Sequence, residues 1–455
     1  MADAFDYRTA SEGEILEKAG ELRGKRLGDI PEAAFEALTG GTGRGEVGHT
    51  IEAFFGIPRN SLSMPDFPGA RIELKVIPLR RTGRGLGVKE RTFISQINYM
   101  TLIGERWAEA SVRKKLKILF VFFEHIDGKA KGSFPIREIL LWEPDARTNA
   151  LLKADWDRVF AKVRQGRAHE LSESDGSVMG PCTKSATGLS RRPQPFGDQP
   201  AKPRAWGLKP SFTLSLYRAI AKSMPAESLL EEIGLGAADE FEARLIERFA
   251  PYVGRTVIDV GRELGEPPSR SKSYAAGVAR RTFGGRGFHA KIREFEEMGL
   301  TPRAPRVRDD LMPYEHVSFP AFGYHELLDE TWEDSALLAH IEYMLFVPIH
   351  GPKRGTPQGD CSFGRPVFWR PSAEQVDLIR REWELYRIEI GRGEAATLTP
   401  ASATTAIHVR PHGRDSRDTR DAPRAGQVVK KSFWLNKPFV REILRAGAAR
   451  GTQRD

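Results

Sequence analysis

Residues 65–75 read PDFPGARIELK, and this stretch decides how the rest of the chain is interpreted. The alternation of polar and apolar residues over 70–77 predicts a β-strand, on which Glu73 and Lys75 project from the same face. Asp66, in the preceding loop, can join them there. Two carboxylates offer the oxygen ligands that Mg²⁺ prefers, and a nearby ammonium orients a water molecule or shields a phosphate. The stretch therefore supplies the groups that metal-assisted phosphodiester hydrolysis requires.

An acidic residue followed by any residue and then lysine is a weak pattern on its own. The chain contains it twice, at 73–75 and at 127–129. The second instance has glycine in its middle position after a predicted strand, which is typical of a turn. The alternative for the first instance is a solvated strand face with an incidental ion pair. The triplet therefore needs support from its neighbours.

Short sequence matches recur in the same order, at offsets of 221 to 230 residues. The clearest pairs are residues 24–30 with 254–260, residues 119–121 with 345–347, and residues 209–214 with 430–435. Chance similarity between common strand and helix patterns is the alternative. Because the matches keep their order, they predict two copies of one domain, at residues 1–224 and 225–455.

The composition is that of a folded globular protein, with 40% hydrophobic and 29% charged residues among 455. A formal net charge of +9 favours an anionic partner such as nucleic acid. The two cysteines lie far apart, which excludes a disulfide framework and a cysteine-based zinc site. Apolar runs are too short for a membrane span, and the first residues lack a signal-peptide core. We therefore expect a cytoplasmic protein that does not bind membranes.

Hydrophobic periodicity predicts a mixture of helices and strands. The predicted helices cover 15–22 and 47–55, and the predicted strands cover 70–77 (ended by Pro78), 91–97 and 117–123. Residues 185–203 and 411–423, rich in Pro, Gly, Ser and Arg, are predicted to be loops.

The neighbours of the acidic triplet carry a more specific pattern. Residues 45–52 (GEVGHTIE), the pair 66–67 and residues 73–79 (ELKVIPL) resemble the MutH family of PD-(D/E)-x-K nucleases. Residues 89–95 and 112–117 continue the resemblance, which covers most of residues 10 to 220 in order and with compatible spacing. The resemblance implies an α/β (mixed α+β) fold, with two tandem MutH-like domains when the repeat is considered.

The same resemblance implies roles for individual residues. Asp66, Glu73 and Lys75 would form the catalytic core, and Asp66, Glu73 and Glu52 would bind Mg²⁺. Glu52 lies at the edge of the apolar stripe of its predicted helix, and the alternative is an ordinary surface glutamate. Lys115 matches the family's second active-site lysine, and the alternative is one of several solvated lysines before a strand.

The second copy lacks the catalytic pattern. Residues 225–455 contain no acidic residue followed two positions later by lysine. Where the motif should fall, Pro302 and Pro305 make a regular central strand unfavourable. We therefore predict that the second copy is catalytically inactive.

The second copy is nevertheless strongly basic at its end, with twelve Lys or Arg against five Asp or Glu in residues 401–455. Residues 409–415 resemble the base-reading loop of the MutH fold, and the corresponding loop of the first copy, near 180–184, departs from that pattern. Basic side chains neutralise phosphates, and bidentate contacts to base edges give sequence preference. The alternative for either loop is a solvated, flexible basic loop. The predicted DNA-binding residues are Cys182, Thr183, Lys184, Lys209, Arg410, Pro411, His412, Arg414, Lys430 and Lys431.

An intact MutH-like domain followed by an inactive one is similar to the two-domain type II restriction endonucleases that cut double-stranded DNA at GATC. That similarity implies Mg²⁺-dependent cleavage on the 5′ side of the G, a second domain that binds another site as an allosteric effector, and a cognate DNA methyltransferase in the same system. Because GATC is a palindrome and one chain has one centre, we expect a monomer that dimerises on DNA.

Two rival functions stay open. One is a mismatch-repair nickase of the MutH type, against which the second copy argues because such nickases have a single domain. The other is a catalytically inactive DNA-binding regulator, against which the intact acidic and lysine residues argue. A zinc-dependent nuclease is disfavoured, because the ten histidines show no suitable spacing.

Overall fold

A computed structural model describes residues 5–30, 46–58, 64–82, 85–88, 90–183, 190–220, 228–234, 236, 240–285 and 291–452. The chain divides into two compact units, Met1–Pro225 and Ala226–Asp455. Each unit mixes helices with strands, as the predicted fold class requires. In the described ranges, no helix combines the length and the apolar character that crossing a membrane demands.

The first unit contains five α-helices and seven strands in its described ranges. The helices are α1 Glu12–Gly20, α2 Glu46–Phe54, α3 Tyr99–Leu102, α4 Ala146–Arg164 and α5 Pro210–Ile220. The strands are β1 Glu73–Thr82, β2 Gly85–Val88, β3 Thr92–Gln96, β4 Ile118–His125, β5 Ile136–Trp142, β6 Met179–Thr183 and β7 Arg204–Leu208. Short 3₁₀ helices cover Leu27–Asp29, Trp107–Glu109, Arg113–Lys115, Lys131–Ser133, Ala168–Glu170 and Glu173–Asp175.

A four-stranded sheet with the order β2-β1-β4-β5 forms the centre of this unit. Strand β1 runs parallel to β4, with Glu73 opposite Ile118 and Lys75 opposite Phe120. Residues 118–124 of β4 are buried on both faces, which explains the continuous apolar run over 118–123. A separate antiparallel sheet has the order β3-β7-β6. The central sheet therefore anchors β1, and with it the predicted catalytic triplet.

The prediction that Pro78 ends the first strand is wrong. Strand β1 begins at Glu73 and continues to Thr82, with Pro78 opposite Phe123 of β4. Pairing with β2 begins only at Leu79. Among the described residues, pairing with β2 does not reach Pro78, and proline is tolerated in a strand where it loses no ladder hydrogen bond.

The second unit contains nine α-helices and eleven strands in its described ranges. The helices are α6 Leu229–Ile233, α7 Phe241–Phe249, α8 Val257–Glu263, α9 Tyr274–Thr282, α10 Arg293–Met298, α11 Tyr324–Asp329, α12 Ala336–Ile341, α13 Ala373–Gly391 and α14 Lys437–Thr452. The strands are β8 Pro302–Arg303, β9 Arg306–Val307, β10 Val317–Ala321, β11 Met344–Phe346, β12 Ile349–His350, β13 Ser362–Phe363, β14 Val367–Trp369, β15 Ile407–Pro411, β16 Thr419–Ala422, β17 Gly426–Val429 and β18 Lys431–Leu435. Short 3₁₀ helices cover Ala250–Tyr252, Trp332–Asp334, Gln358–Asp360 and Ala401–Ala403.

The sheets of the second unit are shorter. Their orders are β14-β11-β8, β13-β12-β9, β10-β18-β15 and the hairpin β16-β17. The prolines break the strand expected near 302–307 into β8 and β9, which confirms that no regular central strand forms there. The prediction of a loop over 411–423 is wrong in part, because Thr419–Ala422 pairs with Gly426–Val429. A hairpin satisfies backbone groups that the polar composition alone would leave to water.

Backbone details repeat between the two units. In the first, the Ile72 N–H donates to the Phe67 carbonyl across a turn that holds Arg71 at φ 57°. In the second, the Leu300 N–H donates to Phe295 in the same way, with Gly299 at φ 72°. The segments preceding the motif strand therefore share a left-handed residue and one hydrogen bond, although the second copy forms them at the end of helix Arg293–Met298.

Candidate active site

The carboxylates of Asp66 and Glu73 come together at the start of β1. Glu73 is the first residue of the strand, and its N–H donates to the Lys117 carbonyl at 2.9 Å. The N–H of the next residue, Leu74, donates to Asp66 Oδ2 at 2.8 Å. This hydrogen bond ties the loop carboxylate to the strand. The structure thus places Asp66 beside Glu73, as the sequence predicts.

The Glu73 carboxylate is buried between two ammonium groups. Its side chain is 5% exposed, and Lys75 Nζ lies 2.8 Å from Oε1. Lys115 Nζ lies 3.2 Å from Oε2. Burying one carboxylate is costly unless cations compensate it, and both lysines that the sequence singled out do so. The structure therefore gathers Glu73, Lys75 and Lys115 in one cluster.

Asp66 is strongly affected by its surroundings. Burial raises the pKa of this carboxyl to about 6, the nearby charge of Glu73 adds to the rise, and the Leu74 N–H and Lys75 oppose it. Two adjacent carboxylates that repel each other favour a cation between them, because the cation removes the repulsion. Raised carboxyl pKa values of this kind concentrate at functional sites.

Glu52 lies on α2, at the border of the cluster. The charge of Glu52 also raises the pKa of Asp66, and this effect is the smallest of those named for the Asp66 carboxyl. His49, one turn earlier, has its Nδ1 2.9 Å from Glu52 Oε2. Sequence reasoning missed His49, although its spacing of three residues from Glu52 is the signal for a pair on one helix face.

The donor set suits a hard divalent cation. Asp66 and Glu73 supply carboxylate oxygens, and Oε2 of Glu73 is buried with the Lys115 ammonium 3.2 Å away but without a hydrogen bond. Within the part of the chain that the structure describes, no three His, Cys, Asp or Glu side chains converge closely enough to hold a metal by themselves. Two carboxylates fit Mg²⁺, which usually keeps several waters and binds proteins through one or two carboxylates plus a phosphate.

Two of the DNA-binding residues predicted in the first unit are corrected by their burial. Cys182 lies inside β6, where its thiol donates to the Ala205 carbonyl at 3.2 Å and burial raises its pKa to about 11. Lys209 is 0% exposed. Neither side chain is accessible to a DNA duplex in this structure. Lys209, which lies in the segment that matches residues 430–435, directly follows strand β7 and is buried there.

Thr183 has a structural role. Its N–H and hydroxyl donate to Glu173 Oε1, at 3.2 and 2.8 Å, beside the ion pair of Glu173 with Arg204 at 2.5 Å. Burial alone would raise the pKa of Glu173, but Arg204 and the Thr183 hydroxyl hold it below its ordinary value. Lys184 lies outside the described residues.

The predicted loop of the second unit is largely exposed. Arg410, Pro411, His412 and Arg414 are exposed at and beyond the end of β15. The Arg410 guanidinium lies 5.4 Å from the centroid of the Trp434 ring.

Of the two lysines predicted beside this loop, only one is accessible. Lys430 is half-buried and forms an ion pair with Asp418. Lys431 is a correction: it is buried, its ammonium donates to the Ala396 carbonyl at 3.0 Å, and burial lowers its pKa. The accessible basic side chains of this loop are therefore fewer than the sequence suggests.

The strand register identifies what stands in the second unit at the positions of the predicted catalytic triplet. Strand β8 runs parallel to β11, with Pro302 opposite Leu345 and Arg303 opposite Phe346. Residues 345–347 match residues 119–121 in sequence. Pro302 therefore corresponds to Leu74, which lies opposite Leu119, and Arg303 corresponds to Lys75, which lies opposite Phe120. Thr301 and Arg303 therefore stand where the first unit has Glu73 and Lys75.

The other two acidic positions also change. Helix α9, like α2, has nine residues and is followed by Phe-Gly, with the glycine at positive φ in both. Arg280 therefore stands at the position of Glu52. Glu294 precedes Phe295 as Asp66 precedes Phe67, but its carboxylate is fully buried and accepts from the Leu229 N–H at 2.9 Å. The only acidic residue kept in this set of positions caps a helix.

Comparisons with known proteins agree with two copies of one domain. The family model described as DNA mismatch repair enzyme MutH matches residues 55–155 and, separately, 295–382. The type II restriction enzyme Sau3AI of Staphylococcus aureus is 27% identical over 436 residues, which cover 87% of each chain.

Single mismatch-repair proteins match a shorter part of the chain. MutH of Serratia proteamaculans is 30% identical over 216 residues, 45% of this chain and 92% of its own length. MutH of Vibrio campbellii is 29% identical over 213 residues, 45% of this chain and 91% of its own length. The chain is thus a homologue of a type II restriction enzyme along most of its length, and it belongs to the MutH family.

Proposed function

We propose that this protein is a type II restriction endonuclease that makes Mg²⁺-dependent double-strand cuts in DNA at GATC, on the 5′ side of the G. The observation that carries the proposal is the buried Glu73 carboxylate beside Asp66, with the Lys75 and Lys115 ammonium groups at 2.8 and 3.2 Å. Similarity to a restriction enzyme along 87% of both chains supports the same activity.

The proposed roles follow from the geometry. Asp66 and Glu73 hold Mg²⁺, and Glu52 contributes its charge from α2. When bound, the ion makes a coordinated water more acidic and offsets charge on the scissile phosphate. Lys75 orients the attacking water by a hydrogen bond. Lys115 shields the negative charge that develops on the phosphate.

The second unit takes the effector role in this proposal. Its replaced acidic positions cannot support hydrolysis, and the exposed arginines at the end of β15 offer contacts to a second DNA site. Binding there can bias the active state without competing chemistry. The chain would be monomeric in solution and dimerise on a palindromic site, because two cuts need two centres. A restriction enzyme acts in the cytoplasm and needs a cognate methyltransferase to protect host DNA.

A mismatch-repair nickase is the second candidate, supported by the similarity to MutH proteins. That similarity covers 45% of this chain, whereas the similarity to the restriction enzyme extends through both units. A nickase would leave the second unit without a role. We therefore place the restriction activity first.

Plasmid cleavage followed by sequencing of the fragment ends tests the proposal. The wild type with Mg²⁺ should give linear fragments whose ends all lie at GATC, and Lys75→Ala should give none. Lys129→Ala is the matched control, because Lys129 belongs to the other acidic-x-Lys triplet and is exposed in a turn. Nicked circles would favour the nickase. DNA binding without any cleavage would favour an inactive regulator.

A further inference from the structure

The second unit contains a cavity of about 600 Å³ at the position of the lost active site. Arg280, Thr301 and Arg303, which replace Glu52, Glu73 and Lys75, all line it. Its size falls within the range of cavities that hold small ligands. The cavity therefore lies where the first unit has its predicted nuclease centre, but it lacks the two carboxylates and the lysine of that centre.

The charge of this cavity is opposite to that of the first unit's metal site. Four of its lining side chains, Lys272, Arg280, Arg303 and Arg306, are cationic, and Glu315 is the one carboxylate among the described lining residues. Such a lining repels a divalent cation and attracts an anion.

Three titratable groups of the lining have described neighbours. Glu315 faces Arg354, whose Nε lies 3.4 Å from its carboxylate. Burial lowers the pKa of Arg280, and the charge of Glu296 opposes that effect. His316 also lines the cavity, where burial and the neighbouring His408 lower its pKa to about 4, so that it is neutral at pH 7.

We propose that this cavity binds one backbone phosphate of a DNA duplex, with arginine side chains in place of the metal ion. The proposal rests on the proposed function, since it assumes that the second unit holds a DNA site. Under the proposed function, Asp66, Glu73 and Lys75 would hold the cation and the scissile phosphate at the same position of the first unit. Guanidinium groups match phosphate oxygens in shape and charge. Arg280 and Arg303, which reach the cavity from a helix and a strand, would contact the phosphate from two sides.

The mode of binding has a distinctive consequence. Phosphate binding at the first unit's carboxylates requires a metal, whereas binding at the arginines does not. With EDTA present, the first unit repels a phosphate at this position and the second attracts it. A duplex in which the corresponding phosphate is replaced by a neutral methylphosphonate should therefore lose affinity only at the second unit.

The experiment measures duplex binding to the full chain in EDTA by fluorescence anisotropy at several salt concentrations. The probes are a GATC duplex and the same duplex with a methylphosphonate 5′ of each G. The variants are Arg280→Gln, Arg303→Gln and their combination, with Arg303→Lys to keep the charge without the planar fork. Arg381→Gln is the matched control, because Arg381 is exposed on α13 and outside the cavity lining. Unchanged melting curves establish that each variant is folded.

We expect the double variant to bind the normal duplex about 10- to 100-fold more weakly at the second site. The slope of log K against log salt should fall by about 0.9, the value for one phosphate. The double variant should also be insensitive to the methylphosphonate, Arg303→Lys should be intermediate, and Arg381→Gln should match the wild type.

Other results separate the inference from the proposed function. If the double variant binds both duplexes as the wild type does, while the wild type still cuts plasmid, the phosphate site is refuted and the nuclease stands. If the variants lose only binding of inorganic phosphate, measured by calorimetry, the cavity takes a free anion and the DNA assignment is overturned. If the wild type neither binds the duplex nor cuts plasmid, the proposed function itself fails.

Discussion

Replacing Asp66 with asparagine should stabilise the metal-free protein and abolish cleavage. The Asp66 carboxyl is buried beside Glu73, and its pKa is raised to about 6 from an ordinary 3.8. A group whose charged form is disfavoured in the folded state destabilises that state wherever the group is ionised. Asparagine is neutral, and its side-chain oxygen can still accept the hydrogen bond from the Leu74 N–H. It therefore keeps the contact and removes the charge.

The magnitude follows from the two pKa values. At pH 7 the carboxyl is ionised in both states, and the shift corresponds to about 3 kcal/mol of unfolding free energy. At pH 5 the folded state holds its proton and the unfolded state does not, so the cost falls to about 1.6 kcal/mol. Well below pH 4 both states are protonated and the cost disappears. The advantage of Asp66→Asn should therefore decline as the pH falls from 7 to 4.

The assay is calorimetric unfolding of the full chain in EDTA across this pH range. The chain has two units, so the relevant transition is the one that Mg²⁺ raises in the wild type. Asp198→Asn, at an exposed position of the same unit, is the control and should change little. Asp66→Ala should be less stable than Asp66→Asn by about 1–3 kcal/mol, because it leaves the Leu74 N–H without its acceptor. A destabilised Asp66→Asn at pH 7, or a gain that does not vary with pH, would refute the reasoning.

Three further predictions test the site and its corrections. Lys115→Met should reduce the plasmid cleavage rate by about 10²-fold or more, whereas Lys114→Met, at the exposed neighbour, should leave it nearly unchanged. Cys182 should resist iodoacetamide in the native protein at pH 8 and react in urea, as mass spectrometry would reveal, because burial raises the pKa of its thiol to about 11; rapid labelling of the native protein would contradict its burial. Glu173→Gln should lower the unfolding free energy by about 3–5 kcal/mol in urea denaturation, because it leaves the buried Arg204 without its charge partner; a loss below about 1 kcal/mol would contradict that role.

The sequence predicts that Asp66, Glu73 and Lys75 come together, although the triplet alone leaves an incidental ion pair open and the resemblance of its neighbours to the MutH family decides the interpretation. The alternation around Glu73 and Lys75 predicts that both project from one strand face, and the resemblance implies the role of Glu52, which the helix geometry allows. Of these inferences, only the shared strand face follows from the periodicity of one element. Lys115 was expected from resemblance alone, and its 3.2 Å distance to Glu73 supplies the physical reason for its position.

Burial of basic residues could not be predicted in the same way. Lys209 and Lys431 stand in stretches that the sequence marks as basic, yet both are buried beside strands. Whether a lysine enters the interior depends on distant acceptors, such as the Ala396 carbonyl that receives the Lys431 ammonium. Such partners are far away in the sequence, so local patterns do not reveal them. The prediction that Pro78 ends the strand is wrong for a related reason. Whether a strand tolerates proline depends on where its pairing with the neighbouring strand β2 begins, which the sequence of β1 alone does not give.

The replacements in the second unit form a concerted set, because a buried charge tolerates no partial change. Glu73 is buried against two ammonium groups, and removal of either partner would leave uncompensated charge. In the second unit, Thr301 replaces the carboxylate, and Ile341, three residues before β11 as Lys115 is before β4, replaces the second lysine. Restoring Thr301 to glutamate alone would therefore set one carboxylate among arginines, where it would form an ion pair and bind no metal.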